Sequence, residues 1–411
     1  MISPKQFEIL KWPYTGHRAL ICDGAVRSGK TSLMSLSFLL WAMGAFDRCS
    51  FAICGKTVGS AERNIIQPLQ AMTYLQNHFL LTYSRSEHVL TVRRGGRSNR
   101  FYVFGGRDES SYTLIQGITL AGVLLDEVAL MPRSFVEQAL ARCSIAGAKL
   151  WFNCNPDVPE HWFRKEWLLK LQEKDAIHLH FRMEDNPSLS PETLEMYRSL
   201  YTGVFKKRYI DGEWTAGDGV IYDMFDPAAN TYDDASRPPG LYWAASRYIA
   251  CDYGTANPFV LLDIYDDGET VWVDDEYRWD SRKEFRQKTD QEYVDDLQRF
   301  MGEDPQYFGP VVADPSAASY ITALRRGGVY VIEGDNDVLD GIRRVSSLLG
   351  RRVLRIHRRC DGLLGEMGSY VWDSKAAAHG VEKPVKSQDH GPDALRYYVN
   401  TCLPMWRYGE E

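Results

Sequence analysis

The sequence predicts a two-domain α/β protein. Three observations carry this prediction. Its 411 residues are about twice the length of an ordinary domain. Short apolar runs alternate with helical patterns through the first half, as in a mainly parallel sheet covered on both faces. A stretch rich in Gly, Pro and Asp, from Asp211 to Ser246, interrupts that alternation, and a second set of strands begins beyond it. The expected division is residues 1–210, a connection over 211–245, and residues 246–411. With 44% hydrophobic and 25% charged residues, each half can bury its own core.

In the first half Arg18–Asp23, Ser50–Cys54, Phe101–Phe104, Gly122–Leu125 and Lys149–Phe152 read as buried strands. Thr31–Phe46 reads as a helix and Leu80–Val92 as a hairpin. In the second half Tyr248–Asp252, Phe259–Tyr265 and Thr270–Tyr277 read as successive strands. A helical stretch follows at about Ser281–Met301, and then a strand ends in Val311-Val312-Ala313-Asp314.

Composition excludes little beyond a membrane protein. No run of about 18 apolar residues appears, so no span is expected, and the start of the chain lacks a signal-peptide pattern. The eight cysteines form no CxxC pair, so neither a zinc site nor a disulfide framework is expected, and a reducing compartment fits. A net charge of −7 argues against a surface coated with DNA-binding charge but leaves room for a local basic channel.

Gly24-Ala25-Val26-Arg27-Ser28-Gly29-Lys30-Thr31 fits the P-loop pattern GxxxxGK[ST], directly after a strand and opening a helix. Gly24, Ser28 and Gly29 belong to the backbone cradle for phosphates. Lys30 reaches the outer phosphates of ATP, and the Thr31 hydroxyl binds Mg²⁺. Arg27 is placed to touch the γ-phosphate. A second GKT, Gly55-Lys56-Thr57, has Ser50 where the first glycine is needed and reads as a turn.

The run Gly122–Leu125 delivers Asp126 and Glu127 at a strand end, where ligands bind in open α/β sheets. Asp126 suits Mg²⁺ binding and Glu127 suits a general base for the attacking water. Asn153-Cys154-Asn155-Pro156 follows the next strand. Asn155 is a candidate γ-phosphate sensor, although Asn-Pro is also a frequent turn starter. Gln6 reads locally as a helix N-terminal residue, with adenine recognition as the alternative. Arg97, Arg100 and Arg107 are candidates for an arginine finger, and each alone also reads as a solvated charge.

In the second half Asp252 and Asp314 each end a strand, and Asp393 begins the final helix. Phosphodiester hydrolysis with two Mg²⁺ or Mn²⁺ ions needs carboxylates that converge, which a ribonuclease H-like fold achieves from two strand ends and a packed helix. Singly each acid also reads as a cap; the shared order favours the joint reading. Asp389 and His390 are further candidates, and Asp263 a weaker one. Seven arginines between Arg343 and Arg359, with Lys383 and Lys386, are candidates for holding DNA phosphates.

With these residues in place, the chain resembles the large terminase subunit of tailed bacteriophages. The resemblance rests on GAVRSGKT, LLDE, NCNP, DNPSL at Asp185–Leu189, GEW at Gly212–Trp214, ACDYG and the closing DHGPDALRY. It implies a P-loop ATPase domain that drives double-stranded DNA through a portal protein into a procapsid. It also implies a ribonuclease H-like endonuclease domain that cuts concatemeric DNA. Further implied are a small terminase subunit as partner, a homo-oligomeric ring on the portal, and the cytoplasm of the infected bacterium. By matched motif the phosphate and Mg²⁺ roles fall on Lys30, Thr31, Asp126 and Glu127, coupling on Asn153 to Pro156, the adenine side on Gln6, and nuclease metals on Asp252, Asp314 and Asp393. No arginine-finger motif can be matched. Two rivals stand beside this reading. One is a helicase-like or repair ATPase whose second domain only binds DNA. The other is a non-enzymatic scaffold with a decayed P-loop, against which the intact Lys30, Thr31, Asp126 and Glu127 weigh.

Overall fold

A computed structural model describes residues 2–254, 257–302 and 309–404. The chain divides into two units. One comprises Met1–Leu194, Lys206–Ala216 and Ala378–Val381; the other comprises Glu195–Phe205, Gly217–Ala377 and Glu382–Glu411.

In the first unit the apolar runs form one eight-stranded sheet. Its strands are β1 (Ala19–Gly24), β2 (Ser50–Gly55), β3 (Leu80–Ser84), β4 (Val89–Arg94), β5 (Arg97–Gly105), β6 (Gly122–Leu125), β7 (Lys149–Asn153) and β8 (Ala176–Phe181). Their order is β3-β4-β5-β2-β6-β7-β1-β8. All neighbours from β5 to β8 are parallel, while β3, β4 and β5 form an antiparallel meander. The expected hairpin is thus the first two strands of that meander. The edge strand β8 went unread, because Ala176–Phe181 is half-buried along most of its length and carries two histidines.

β1 and β6 are buried throughout, as central parallel strands require. The helix Lys30–Ala45 is apolar around most of its circumference, as a helix enclosed in a core should be. Its Phe38 packs edge-on against Phe51, Phe101 and Trp151, with centroids 4.8–5.7 Å apart. Register places the ends of β1, β6 and β7 side by side, with Cys22 opposite Asn153 and Leu125 opposite Phe152. The sheet therefore delivers Gly24, Asp126 and Asn153 to one edge.

The second unit holds a seven-stranded sheet built from β9 (Thr231–Tyr232), β10 (Ser246–Asp252), β11 (Phe259–Asp266), β12 (Val271–Trp279), β13 (Val311–Ala313), β14 (Val331–Glu333) and β15 (Leu354–His357). The order is β14-β13-β10-β11-β12-β15-β9. β10, β11 and β12 are antiparallel; β13, β14, β15 and β9 add in parallel. This is the α/β arrangement predicted, a mainly parallel sheet carrying the P-loop followed by a ribonuclease H-like sheet. Phe259, Tyr293 and Tyr320 pack together in the core of the second unit. The last helix, His390–Cys402, is buried from Gly391 through Asn400.

The helix expected at about Ser281–Met301 is shorter. It runs Asp290–Met301, because Thr289 and Glu292 form a capping box that starts it there. Among the described residues no helix is long and apolar enough to cross a membrane.

Candidate functional site

In the first unit the chain leaves β1 at Gly24 with φ +119°, and a Cβ there would stand 1.9 Å from the Phe181 carbonyl oxygen. Gly29, at φ +80°, would put a Cβ 2.6 Å from Gln6 Nε2. Only glycine fits either position. Between them the loop turns back on Lys30, whose Nζ donates to the carbonyl oxygens of Ala25 at 2.6 Å and Gly24 at 3.1 Å, and to Asn155 Oδ1 at 3.3 Å. Burial pushes the Lys30 ammonium below its ordinary pKa. A cation enclosed this way gains from an anion entering the loop.

Beside it, Thr31 Oγ1 donates to Asp126 Oδ1 at 3.1 Å. Asn153 Nδ2 donates both to Thr31 Oγ1, at 2.8 Å, and to Asp126 Oδ1. Burial raises the Asp126 carboxyl, against the opposing pull of Asn153, Thr31 and Lys30. Glu127 follows in the left-handed region, at φ 57° and ψ 44°, a conformation costly for a glutamate. It turns the chain sharply at the sheet edge and leaves Glu127 partly exposed next to buried Asp126.

Ser28 Oγ donates to Ala25 O at 3.0 Å and so stiffens the loop. Gln6 is buried and its amide is engaged at both ends: Oε1 accepts from Ser3 N at 3.1 Å, and Nε2 donates to Ser28 O at 2.9 Å. Arg27 is exposed at φ 56°, and its carbonyl accepts from Asn186 Nδ2 at 2.7 Å. The DNPSL segment thus braces the loop. Lys56 of the second GKT donates to Leu130 O at 2.8 Å, and Thr57 caps a short helix, so that motif is a turn. Arg97 donates to the Met43 and Gly44 carbonyls at the end of the helix Lys30–Ala45, while Arg100 and Arg107 are exposed.

In the second unit a cleft of about 770 Å³ is lined by Asp252, Glu366, Lys386, Asp389, His390 and Asp393, with Arg278, Arg282 and Lys283 also on its wall. Asp252 Oδ2 lies 2.9 Å from His390 Nδ1. Burial, together with the nearby Asp393 and Asp389 charges, pushes the Asp252 carboxyl up to about 6 despite His390. Lys386 Nζ stands 2.9 Å from Asp393 Oδ2 and 3.3 Å from Asp389 Oδ2. Its ammonium supplies the positive charge that crowded carboxylates call for. The donors are carboxylate oxygens, the set that hard divalent cations take, so they fit Mg²⁺ or Mn²⁺.

Asp314 follows Ala313, which pairs with Cys251, so Asp252 and Asp314 leave adjacent parallel strands side by side. Asp314 Oδ2 accepts from Tyr397 OH at 2.8 Å, and Tyr397 itself lines the cleft. Burial would raise the Asp314 carboxyl, but hydrogen bonds from the Ser316 amide and Tyr397 hydroxyl bring it below the ordinary value. Among the described residues, the set whose ligand atoms all lie within 4.8 Å of one another is Asp23, His178 and His180, not these three aspartates. Asp252 and Asp393 line the cleft, where Asp393 is tied to Lys386 and Arg396, and Asp314 joins its wall through Tyr397.

The arginine run does not gather at the cleft. Arg343 pairs with Asp340, Arg344 with Asn400, Arg358 with Asp233 and Arg359 with Asp234, while Arg355 covers Trp272. Asp263 spends both oxygens on Arg247, at 2.8 Å each. Lys383 lies near Asp373 at 4.0 Å. Asn153, read from the sequence as the start of the coupling motif, sits at a strand end beside Asp126; the residue that sequence reasoning missed is Glu366. Glu366 accepts from Gly391 N at 2.6 Å and from Arg278 Nη1 at 2.6 Å, pinning the start of the last helix. Asn153 is readable as the last residue of an apolar strand, whereas Glu366 carries no such signal.

A family profile described as terminase large subunit, T4likevirus-type, N-terminal matches residues 21–227. The structure of a large terminase from a thermophilic bacteriophage in complex with ADP is 46% identical, with a TM-score of 0.91, covering 98% of this chain and 99% of that one. The complex of the same terminase with ATP-gamma-S gives 46% identity and a TM-score of 0.90 at 98% and 99% coverage. No curated protein sequence matches the chain.

Proposed function

The chain belongs to the large terminase subunits of tailed bacteriophages, and we propose from that premise that its first unit hydrolyses ATP to drive double-stranded DNA into a procapsid while its second unit cuts concatemeric DNA. The nucleotide complexes of the thermophilic-phage relative support the first half of this reading. The strongest support in this chain is the meeting of Lys30, Thr31, Asp126 and Asn153 at one sheet edge beside the loop that begins at Gly24.

In the ATPase site the amides from Gly24 to Gly29 cradle phosphate, and Lys30 exchanges the Ala25 and Gly24 carbonyls for the outer phosphates. Thr31 and Asp126 would hold Mg²⁺, which offsets phosphate charge when bound. Glu127 orients the attacking water and takes its proton. Asn155, on the Lys30 ammonium, and Asn153, on Thr31, sense the loss of the γ-phosphate. Arg27 reaches toward that phosphate, and Gln6 holds the loop on the adenine side.

In the nuclease site Asp252, Asp314 and Asp393 would hold the metals. When bound, two Mg²⁺ or Mn²⁺ ions stabilise the attacking and leaving oxygens of an in-line displacement. Glu366 and His390 keep the carboxylates in place, and Arg282 and Lys283 attract the DNA backbone. We assign ATPase function to residues 1–210 and nuclease function to 246–411, with 211–245 connecting them. Portal protein, small terminase subunit, a ring of copies on the portal and the host cytoplasm complete the proposal.

Lys30→Ala should abolish ATP hydrolysis and leave plasmid cleavage in Mn²⁺; Asp252→Ala should do the reverse. Undiminished plasmid cleavage by Asp252→Ala would remove the nuclease half and leave a helicase-like or repair ATPase.

A further inference from the structure

Asp23 is the last side chain before the P-loop, and it is almost fully buried at 1% exposure. Two histidines flank it. His178 and His180 stand two residues apart on the edge strand β8, so both face the same side of the sheet. Register puts His180 directly opposite Asp23. His178 Nε2 lies 2.7 Å and His180 Nδ1 2.9 Å from the same oxygen, Asp23 Oδ1. The other oxygen, Oδ2, accepts from Trp214 Nε1 at 2.7 Å. Burial alone would raise the Asp23 carboxyl, but these three donors hold it well below the usual range, so the carboxylate is ionised.

We propose that Asp23, His178 and His180 form a binding site for a borderline divalent transition-metal ion of the Zn²⁺ type, separate from the Mg²⁺ site at Thr31 and Asp126. Two imidazoles and one carboxylate favour such an ion over Mg²⁺, which prefers an all-oxygen shell. A tetrahedral zinc shell spaces its ligand atoms roughly 3.3 Å apart. The observed 2.7 and 2.9 Å need widen by about half an ångström to admit the ion, and the two imidazole nitrogens already lie within 4.8 Å of each other. Both histidines are partly exposed, with side chains 29% and 39% accessible, which gives an entry path and leaves a fourth position for water. Trp214 supplies the outer-shell hydrogen bond that orients a ligating carboxylate. The GEW segment thereby gains a role: Gly212, at φ +78°, lets it lie against His180, because a Cβ there would approach the ring to 2.9 Å. A bound ion would tie the end of β8 to β1 one residue before Gly24.

The test compares the full-length wild type with the double variant His178→Gln, His180→Asn. Glutamine replaces an Nε2 donor and asparagine an Nδ1 donor, so the variant keeps the hydrogen bonds to Asp23 and the fold while losing the imidazoles. Both proteins are stripped with chelator and dialysed against Zn²⁺ or Co²⁺ in excess Mg²⁺, which fills the carboxylate sites. The wild type should retain one equivalent more metal than the variant, with nitrogen-ligated Co²⁺ bands in its visible spectrum and a Zn²⁺-dependent rise in Tm. Equal metal retention, or Co²⁺ spectra that do not differ, would overturn the proposal and leave Asp23 a hydrogen-bonded carboxylate only. Since retention is read without ATP or DNA, the result does not depend on the packaging reading.

Discussion

The side-chain amide of Asn153 donates to the hydroxyl of Thr31 at 2.8 Å and to the carboxylate of Asp126, so a single residue orients both groups proposed to hold Mg²⁺. Asn153→Ala removes that alignment without touching phosphate. Losing such an outer partner costs about 10–100-fold in metal affinity or activity. The Mg²⁺ concentration for half-maximal ATP hydrolysis should therefore rise by about that factor, with activity recovering at high Mg²⁺. Asn153→Asp, which sets a second carboxylate against Asp126, should alter the Mg²⁺ dependence further. ATPase assays across a Mg²⁺ series check both, and an unchanged half-maximal Mg²⁺ in Asn153→Ala would refute the orienting role.

Gly24→Ala should fail for a steric reason. A Cβ would press 1.9 Å from the Phe181 carbonyl oxygen, on a backbone at φ +119°. The Phe181 carbonyl cannot move far, since Phe181 is buried and its oxygen accepts from the Ala25 amide at 2.8 Å. A loss of about 3 kcal/mol or more is expected for the first unit, read from denaturant unfolding. Gly95→Ala in the β4–β5 turn, also at positive φ but with nothing within 4 Å of the added Cβ, should cost less.

How far the sequence foretold this site follows from where each residue stands. Asp126, Asp252 and Asp314 end apolar strands, and that position is readable because a buried strand must emerge at a sheet edge. The P-loop is readable because glycine spacing is a backbone requirement. Glu366 was beyond a functional reading, since only the packing of the last helix brings it to the cleft, and Lys386, read as a phosphate contact, pairs with Asp389 and Asp393. The arginines from Arg343 to Arg359 misled for the opposite reason. They are close in sequence, yet they sit on a helix, a turn and a strand, so they diverge toward Asp340, Asn400, Asp233 and Asp234. The basic wall of the cleft comes instead from Arg278, Arg282 and Lys283, a short basic stretch interrupted by Trp279, Asp280 and Ser281.

Asp252 makes the metal-free protein sensitive to pH. Its carboxyl is pushed up to about 6, by burial and by Asp393 and Asp389, whereas an unfolded aspartate titrates near 3.9. Between those values the folded chain holds a proton that the unfolded chain has released, so stability falls as pH rises from about 4 to about 6 and stays reduced above. Asp252→Asn keeps an acceptor for His390 and removes the charge. In chelator the variant should match the wild type at about pH 4 and exceed it by about 2 kcal/mol at about pH 8. Thermal or denaturant unfolding at both values checks this. A variant less stable than the wild type at the higher pH would mean that the Asp252–His390 pair outweighs the crowding.

Glu366 sets the position of the final helix from outside it. One carboxylate receives the buried Gly391 amide at 2.6 Å and the Arg278 guanidinium at 2.6 and 3.0 Å. Truncation by Glu366→Ala leaves that amide without an acceptor and Arg278 with Glu276 alone, a cost of about 3 kcal/mol. Glu366→Gln keeps an acceptor for Gly391 while weakening the grip on Arg278, so it should stay folded. Because Asp389, His390 and Asp393 all lie within two residues of Gly391, a looser helix start spreads the carboxylates that face Asp252. Plasmid cleavage by Glu366→Gln should then need more Mn²⁺ for half-maximal rate, while ATP hydrolysis stays at the wild-type level. If cleavage and its Mn²⁺ dependence are unchanged in Glu366→Gln and in whatever Glu366→Ala remains folded, the helix is held by its apolar contacts, Leu363 and Tyr370 among them, and not by the carboxylate.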